Sequence, residues 1–186
     1  MLSVLVNLAL AVFAVAAVLG HTKKAPLKVI LRYFTALSNL LCALAAILVA
    51  VCRLGGGLPY AAGVFKYVGT AAVTVTMLTV VCFLGPTIGY KTMFTGPDLW
   101  LHGVCPVLAL VSFFLWDKPN MPFRAVWLAV LPVALYGVLY IYRVLCAPEE
   151  RRWQDFYGFN RGGKWALSFA AMLVGSFAVG VLLWLI

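Results

Sequence analysis

Charge is scarce in this chain. Only 10% of its 186 residues are charged, and only five are acidic. A soluble domain carries roughly 25% charged residues. With 65% hydrophobic residues and a mean hydropathy of +1.06, a water-soluble globule is excluded, because so few charges could not cover so much apolar surface. Histidine is nearly missing too: His21 and His102 are the only two. The five cysteines, Cys42, Cys52, Cys82, Cys105 and Cys146, form no CxxC pair and lie in or at the ends of apolar runs. That argues against a zinc site and a disulfide framework, and reads the thiols as small buried hydrophobes. No cofactor is expected. There is no Gly-x-Ser-x-Gly elbow, which sets aside a soluble-type serine hydrolase. No polar/apolar alternation suggests a β-barrel. The first apolar run lacks a basic segment before it, and Lys23 and Lys24 follow it instead, so it reads as a retained helix rather than a cleaved signal.

What the chain has is long apolar runs. A spanning helix needs about 20 mainly apolar residues. Six runs meet that length: Leu2–Gly20, Val29–Cys52, Ala61–Leu84, Leu99–Trp116, Val126–Tyr142 and Trp165–Ile186. Backbone polar groups in lipid must be satisfied within their own segment, so each run is expected to be helical. The expected fold is all-α, a polytopic integral membrane protein with six transmembrane helices in one domain, residues 1–186.

Basic residues set the expected topology. Loops one, three and five with their flanks hold Lys23, Lys24, Lys28, Arg32, Lys91, Arg143, Arg151, Arg152, Arg161 and Lys164, ten of the fourteen. The even loops hold Arg53, Lys66, Lys118 and Arg124. The positive-inside rule then places the odd loops in the cytoplasm and both termini outside. The net charge of +9 is assigned to helix ends and anionic head groups, so the expected partner is the lipid bilayer and not nucleic acid. Oligomeric state is not indicated. Short loops favour a bacterial plasma membrane.

Polar residues inside apolar runs are costly and therefore informative. Thr35, Ser38, Asn39 and Cys42 recur at helical spacing and share one face of the second run. His102, Cys105, Ala109 and Ser112 do the same on the fourth run. Thr35 lies three residues beyond Arg32 and His102 four beyond Asp98, each roughly 5 Å inside a charged boundary on the same side of the membrane. A Thr–His contact is allowed by depth. The alternative is that both faces are glue between helices. Thr70, Thr74, Thr76 and Thr79 read as packing residues. Tyr136 and Tyr140 share a face of the fifth run, where they line a cavity or simply pack. The longest connection, with Trp153, Asp155, Phe156 and Tyr157, is either an interfacial anchor or a lid across the bundle mouth.

The run Arg32-Tyr33-Phe34-Thr35-Ala36-Leu37-Ser38-Asn39-Leu40-Leu41, followed by a histidine, His102, in an apolar run with Pro106, resembles the androgen-induced-protein superfamily and its bacterial six-helix relatives. The stretches Phe123…Pro132…Tyr136 and Asp155-Phe156-Tyr157-Gly158-Phe159 are similar to the bacterial branch. Eukaryotic members are intramembrane threonine hydrolases of fatty acid esters of hydroxy fatty acids. The resemblance implies such a lipid ester as substrate, with Thr35 as nucleophile and His102 as base. A threonine hydroxyl needs an adjacent base, and neutral imidazole is the form a low-dielectric site favours. In such a site Ser38 or Asn39 could meet an oxyanion, Asp98 or Asp155 could orient the histidine, and Arg32, Tyr136 and Tyr140 could line the substrate.

Other functions stay open at this level: a small-solute binding or transport subunit, a related membrane acyltransferase, or a scaffold without chemistry. The alanines of the first run, Ala9, Ala11, Ala14, Ala16 and Ala17, include no pair four residues apart, which disfavours the small-xxx-small partner surface of a transport subunit.

Overall fold

In the computed structural model, which describes all residues Met1–Ile186, six helices are long and apolar enough to cross a membrane. We label them α1 (Leu2–Lys23), α2 (Phe34–Leu54), α3 (Tyr60–Ile88), α4 (Pro97–Asp117), α5 (Phe123–Cys146) and α6 (Trp165–Leu185). There are no strands. Each helix is apolar on nearly every side, which suits a bundle whose outer face meets lipid. Leu5, Val12, Leu44, Val51, Leu135 and Val174 are among the many large apolar side chains left exposed.

The interior is built from small residues that let backbones approach. Ala11 and Ala14 of α1 pack with Ala43 and Ala46 of α2. At Gly69 of α3 an added Cβ would stand 3.0 Å from the Cα of Cys42, so that crossing with α2 requires glycine. A second core, around Tyr67, Phe113, Ala129 and Val179, joins α3, α4, α5 and α6. Tyr67 donates its hydroxyl proton at this core to Gly180 O at 3.0 Å.

Two helices widen where proline removes a donor. Pro86 has no N–H to offer the Cys82 carbonyl, and Pro106 none for the carbonyl of His102. Wide π turns, Val80–Leu84 and Trp100–Val104, lie at these places. The second helix starts later than the Val29 expected from hydropathy. Residues Leu27–Ile30 form a separate short turn, Tyr33 is extended (φ −92, ψ 132), and α2 begins at Phe34. Arg32 therefore lies outside the helix that carries Thr35. Elsewhere the expected and observed bounds agree within a turn or so, α3 and α5 running a few residues longer than hydropathy indicates.

Lys66 is not a loop charge, contrary to the expectation. It lies within α3, fully buried, and donates from Nζ to Asn7 Oδ1 at 2.7 Å. Asn7 in turn donates to Asp117 Oδ2 at 2.7 Å, and Ser3 donates to Asp117 Oδ1 at 2.8 Å. Arg53 completes the cluster, with Nη2 3.5 Å from Asp117 Oδ1 and a bond to the Trp116 carbonyl. This knot ties α1, α2, α3 and α4 at the end of the bundle opposite His102.

Candidate functional site

The end of the bundle formed by loops one, three and five holds a cavity of about 660 Å³. Its walls are α3, α5 and α6, and 18 of its 28 lining residues are hydrophobic. Leu78, Val80 and Phe83 of α3 face Val133 of α5 and Leu167, Met172 and Val179 of α6. Phe83 and Leu167 stand exposed at its α3 and α6 edges. Thr35, Thr76, Tyr136 and Tyr157 form a polar corner at the start of α2, and Asp155, Thr79, Thr87, Arg161 and Ser168 also line the cavity.

The connection between α5 and α6 roofs this corner with Asp155, Phe156, Tyr157 and Phe159. Asp155 holds it in shape. Its Oδ1 accepts from Tyr140 Oη and from Phe159 N–H, both at 2.9 Å, and its Oδ2 accepts from Asn160 N–H at 2.8 Å. Tyr140 accepts from Tyr157 N–H at 3.1 Å. Aromatic rings fill the space between, with Tyr33 on Phe156 at 4.4 Å and Tyr140 against Tyr157 at 5.3 Å. The roof reaches across to α2 through Tyr157, whose oxygen accepts the Phe34 N–H at 2.9 Å. That N–H is one of the amides a helix start leaves without an intrahelical partner. Loss of water around the Tyr157 phenol pushes its pKa up to about 12.

Thr35 stands in the second position of α2, half-buried, with its side chain in the polar corner. His102 is 5% exposed, on the wide turn of α4. Its Nδ1 pairs with the Met93 carbonyl at 2.7 Å. A carbonyl only accepts, so Nδ1 carries a proton, and in the neutral ring the lone pair is on Nε2. Asn39 links the two chain segments: the same amide nitrogen donates to Thr35 O at 2.8 Å and to Leu101 O at 3.1 Å. The segments bearing Thr35 and His102 are thus joined through one side chain. Thr35 and His102 share no hydrogen bond, and His102 does not line the cavity.

Several expected roles are corrected by this geometry. Asp98 lies beside the other histidine, His21, at 3.3 Å, and does not orient His102; the Met93 carbonyl does. Asp155 is occupied by the lid backbone and Tyr140. Arg32 does not line the cavity: its guanidinium lies 5.8 Å from the Trp153 ring centre, and its carbonyl accepts from Tyr136 Oη at 2.6 Å. Tyr136 lines the cavity, whereas Tyr140 is buried beneath the α5–α6 connection and supports it. Both amide protons of Asn39 go to carbonyls, and Ser38 is engaged with Thr76 Oγ1 at 2.8 Å and Thr35 O at 3.1 Å. Neither is free to meet an oxyanion. Thr74, Thr76 and Thr79 bond back to carbonyls of their own helix, the packing role expected of them, although Thr76 and Thr79 also line the cavity.

The buried knot around Asp117 and the lid contact of Tyr157 are the features missed from sequence. Asp117 is one of five acids in the chain and closes an apolar run, Asn7 is the sole amide of the first run, and Lys66 interrupts the third, so the knot had a compositional signal. The Tyr157 contact joins residues 123 positions apart and had none. Comparison with protein-family models, curated proteins and solved structures finds no match to this chain.

Proposed function

We propose that the chain is a multi-pass integral membrane protein that admits an acyl lipid sideways into the cavity and hydrolyses its ester, with Thr35 as nucleophile. One observation carries the reading: an apolar cavity of acyl-chain character has a threonine hydroxyl in its polar corner. Its size lies within the range of small-molecule pockets. The apolar walls fit a hydrocarbon chain and disfavour a small polar solute. The exposed edges between α3 and α6 suit entry from lipid, and the polar corner lies near the basic loops, where water and head groups meet.

In this reading His102 is the base that takes the Thr35 proton, and the Met93 carbonyl holds the ring in the tautomer a base needs. Asn39 keeps the two segments in register and acts as a positioning residue. The basic odd loops face the cytoplasm and both termini lie outside. The resemblance of the Arg32–Leu41 run to intramembrane threonine hydrolases supports the same assignment.

The test is hydrolysis of 4-methylumbelliferyl oleate by the purified full chain in nanodiscs. Thr35→Ala is expected to abolish turnover, Thr35→Ser to retain part of it, and His102→Ala to lower kcat by about 10²–10⁴-fold. Full turnover by Thr35→Ala would remove the nucleophile assignment.

A further inference from the structure

The hydrolase reading leaves the developing charge on the acyl oxygen without a donor, since Asn39 and Ser38 are both engaged. Three tyrosines surround the polar corner, and their protons can be accounted for one by one. Tyr136 gives its proton to the Arg32 carbonyl at 2.6 Å. Tyr140 gives its proton to Asp155 Oδ1 at 2.9 Å. Tyr157 differs. Its oxygen is an acceptor, taking the Phe34 N–H at 2.9 Å, and its own hydroxyl donates to no carbonyl or carboxylate. A phenol that accepts through its lone pairs keeps its own proton to give. The Tyr157 side chain also lines the cavity beside Thr35.

We infer that Tyr157 is a catalytic residue, whose O–H donates a hydrogen bond to the carbonyl oxygen of an ester bound at Thr35. The inference rests on the Thr35 hydrolase reading and supplies the part it lacks. Attack forms the bond between Thr35 Oγ1 and the carbonyl carbon, and the π pair of the C=O moves onto oxygen. Tyr157 meets that charge without transferring its proton. Collapse of the tetrahedral adduct breaks the bond to the leaving alkoxide, which takes the proton His102 received from Thr35. Water then cleaves the acyl-threonine by the same route, releasing the fatty acid. A donor held on the amide next to Thr35 and lining the same cavity is suitably placed, because both oxygens of the adduct are bound to one carbon. The Phe34 N–H on its lone pair polarises the phenol and strengthens it as a donor. With its pKa up at about 12, the phenol remains a neutral donor across the working pH range. The connection between α5 and α6 carries this group to the start of α2, beside Thr35.

The experiment measures kcat and KM for 4-methylumbelliferyl oleate with the full chain in nanodiscs. Tyr157→Phe is expected to lower kcat about 10²-fold with KM little changed, as removal of one oxyanion donor does. Tyr157→3,5-difluorotyrosine keeps the ring and hydroxyl but has a more acidic phenol, so the alkaline limb of the kcat profile should move to lower pH. That readout holds even where Tyr157→Phe loses the fold. Loss of activity in Thr35→Ala with unchanged kcat in Tyr157→Phe, or an unmoved alkaline limb in the fluorinated variant, overturns the role of Tyr157 and leaves Thr35 standing. Wild-type turnover in Thr35→Ala, or none in the wild type, overturns the hydrolase reading and this inference together.

Discussion

Asp117 shows how much a single residue can hold in this fold. It is fully buried, and it accepts from Ser3 and Asn7 while facing Arg53. Removing its charge leaves Arg53 and Lys66 without an anion in an apolar setting. Asp117→Ala is expected to destabilise the chain by about 3–5 kcal/mol, read as a lower unfolding temperature in detergent. Replacing the group together, with Asp117→Leu, Lys66→Met and Arg53→Leu, is expected to recover much of that loss, because no unpaired charge remains. At the other end of the bundle, Tyr157 permits a prediction in pH. Its phenol has a folded-state pKa of about 12, above the ordinary value near 10. Below pH 10 the proton is bound in both folded and unfolded chains, so this group adds no pH dependence. Between about 10 and 12 the unfolded chain loses it first, and stability falls as pH rises. The phenolate absorbance that disappears in Tyr157→Phe should therefore titrate near 12 rather than near 10.

Among the elements, the α2–α3 crossing depends on a glycine. Gly69 lies where a Cβ would stand 3.0 Å from the Cα of Cys42, a backbone atom that cannot swing away. Gly69→Val is expected to push the helices apart and cost about 1–3 kcal/mol, seen in the unfolding temperature. Long apolar runs made all six helices legible from sequence, because lipid demands some 20 such residues and helical closure of every backbone bond. The start of α2 was not legible. Leu27–Ile30 is as apolar as a helix end, and only the extended backbone at Tyr33 separates it from Phe34. Helical spacing placed Thr35, Ser38 and Asn39 on one face, and the structure shows that face turned to α3, α4 and the cavity. Which partner each side chain takes was beyond spacing. Asp98 pairs with His21 and not with His102 four residues on, because α1 ends beside the start of α4. Lys66 looked like a boundary charge because its partners sit on α1 and α4, far away in the chain.

At the scale of the whole molecule, the bundle is polar at two opposite ends for different reasons. The knot around Asp117 is joined by hydrogen bonds among residues of α1, α3 and α4, with Arg53 of α2 beside it, and it holds four helices together. The end with loops one, three and five carries most of the basic residues, the lid and the cavity. With the five native cysteines replaced by alanine, Gly56→Cys in loop two is expected to react with a membrane-impermeant maleimide added to intact cells. Lys24→Cys in loop one and Gly162→Cys in loop five are expected to react only after lysis. The reverse pattern would invert the proposed orientation and place the cavity mouth on the outer side.

The most direct test of an activated threonine in that cavity is covalent capture. The full chain in nanodiscs is treated with a long-chain alkyl fluorophosphonate, and the modified residue is located by mass spectrometry. The account predicts a single adduct on Thr35, absent from Thr35→Ala and strongly slowed in His102→Ala. An adduct on another residue, or equal labelling of the wild type and Thr35→Ala, would contradict it.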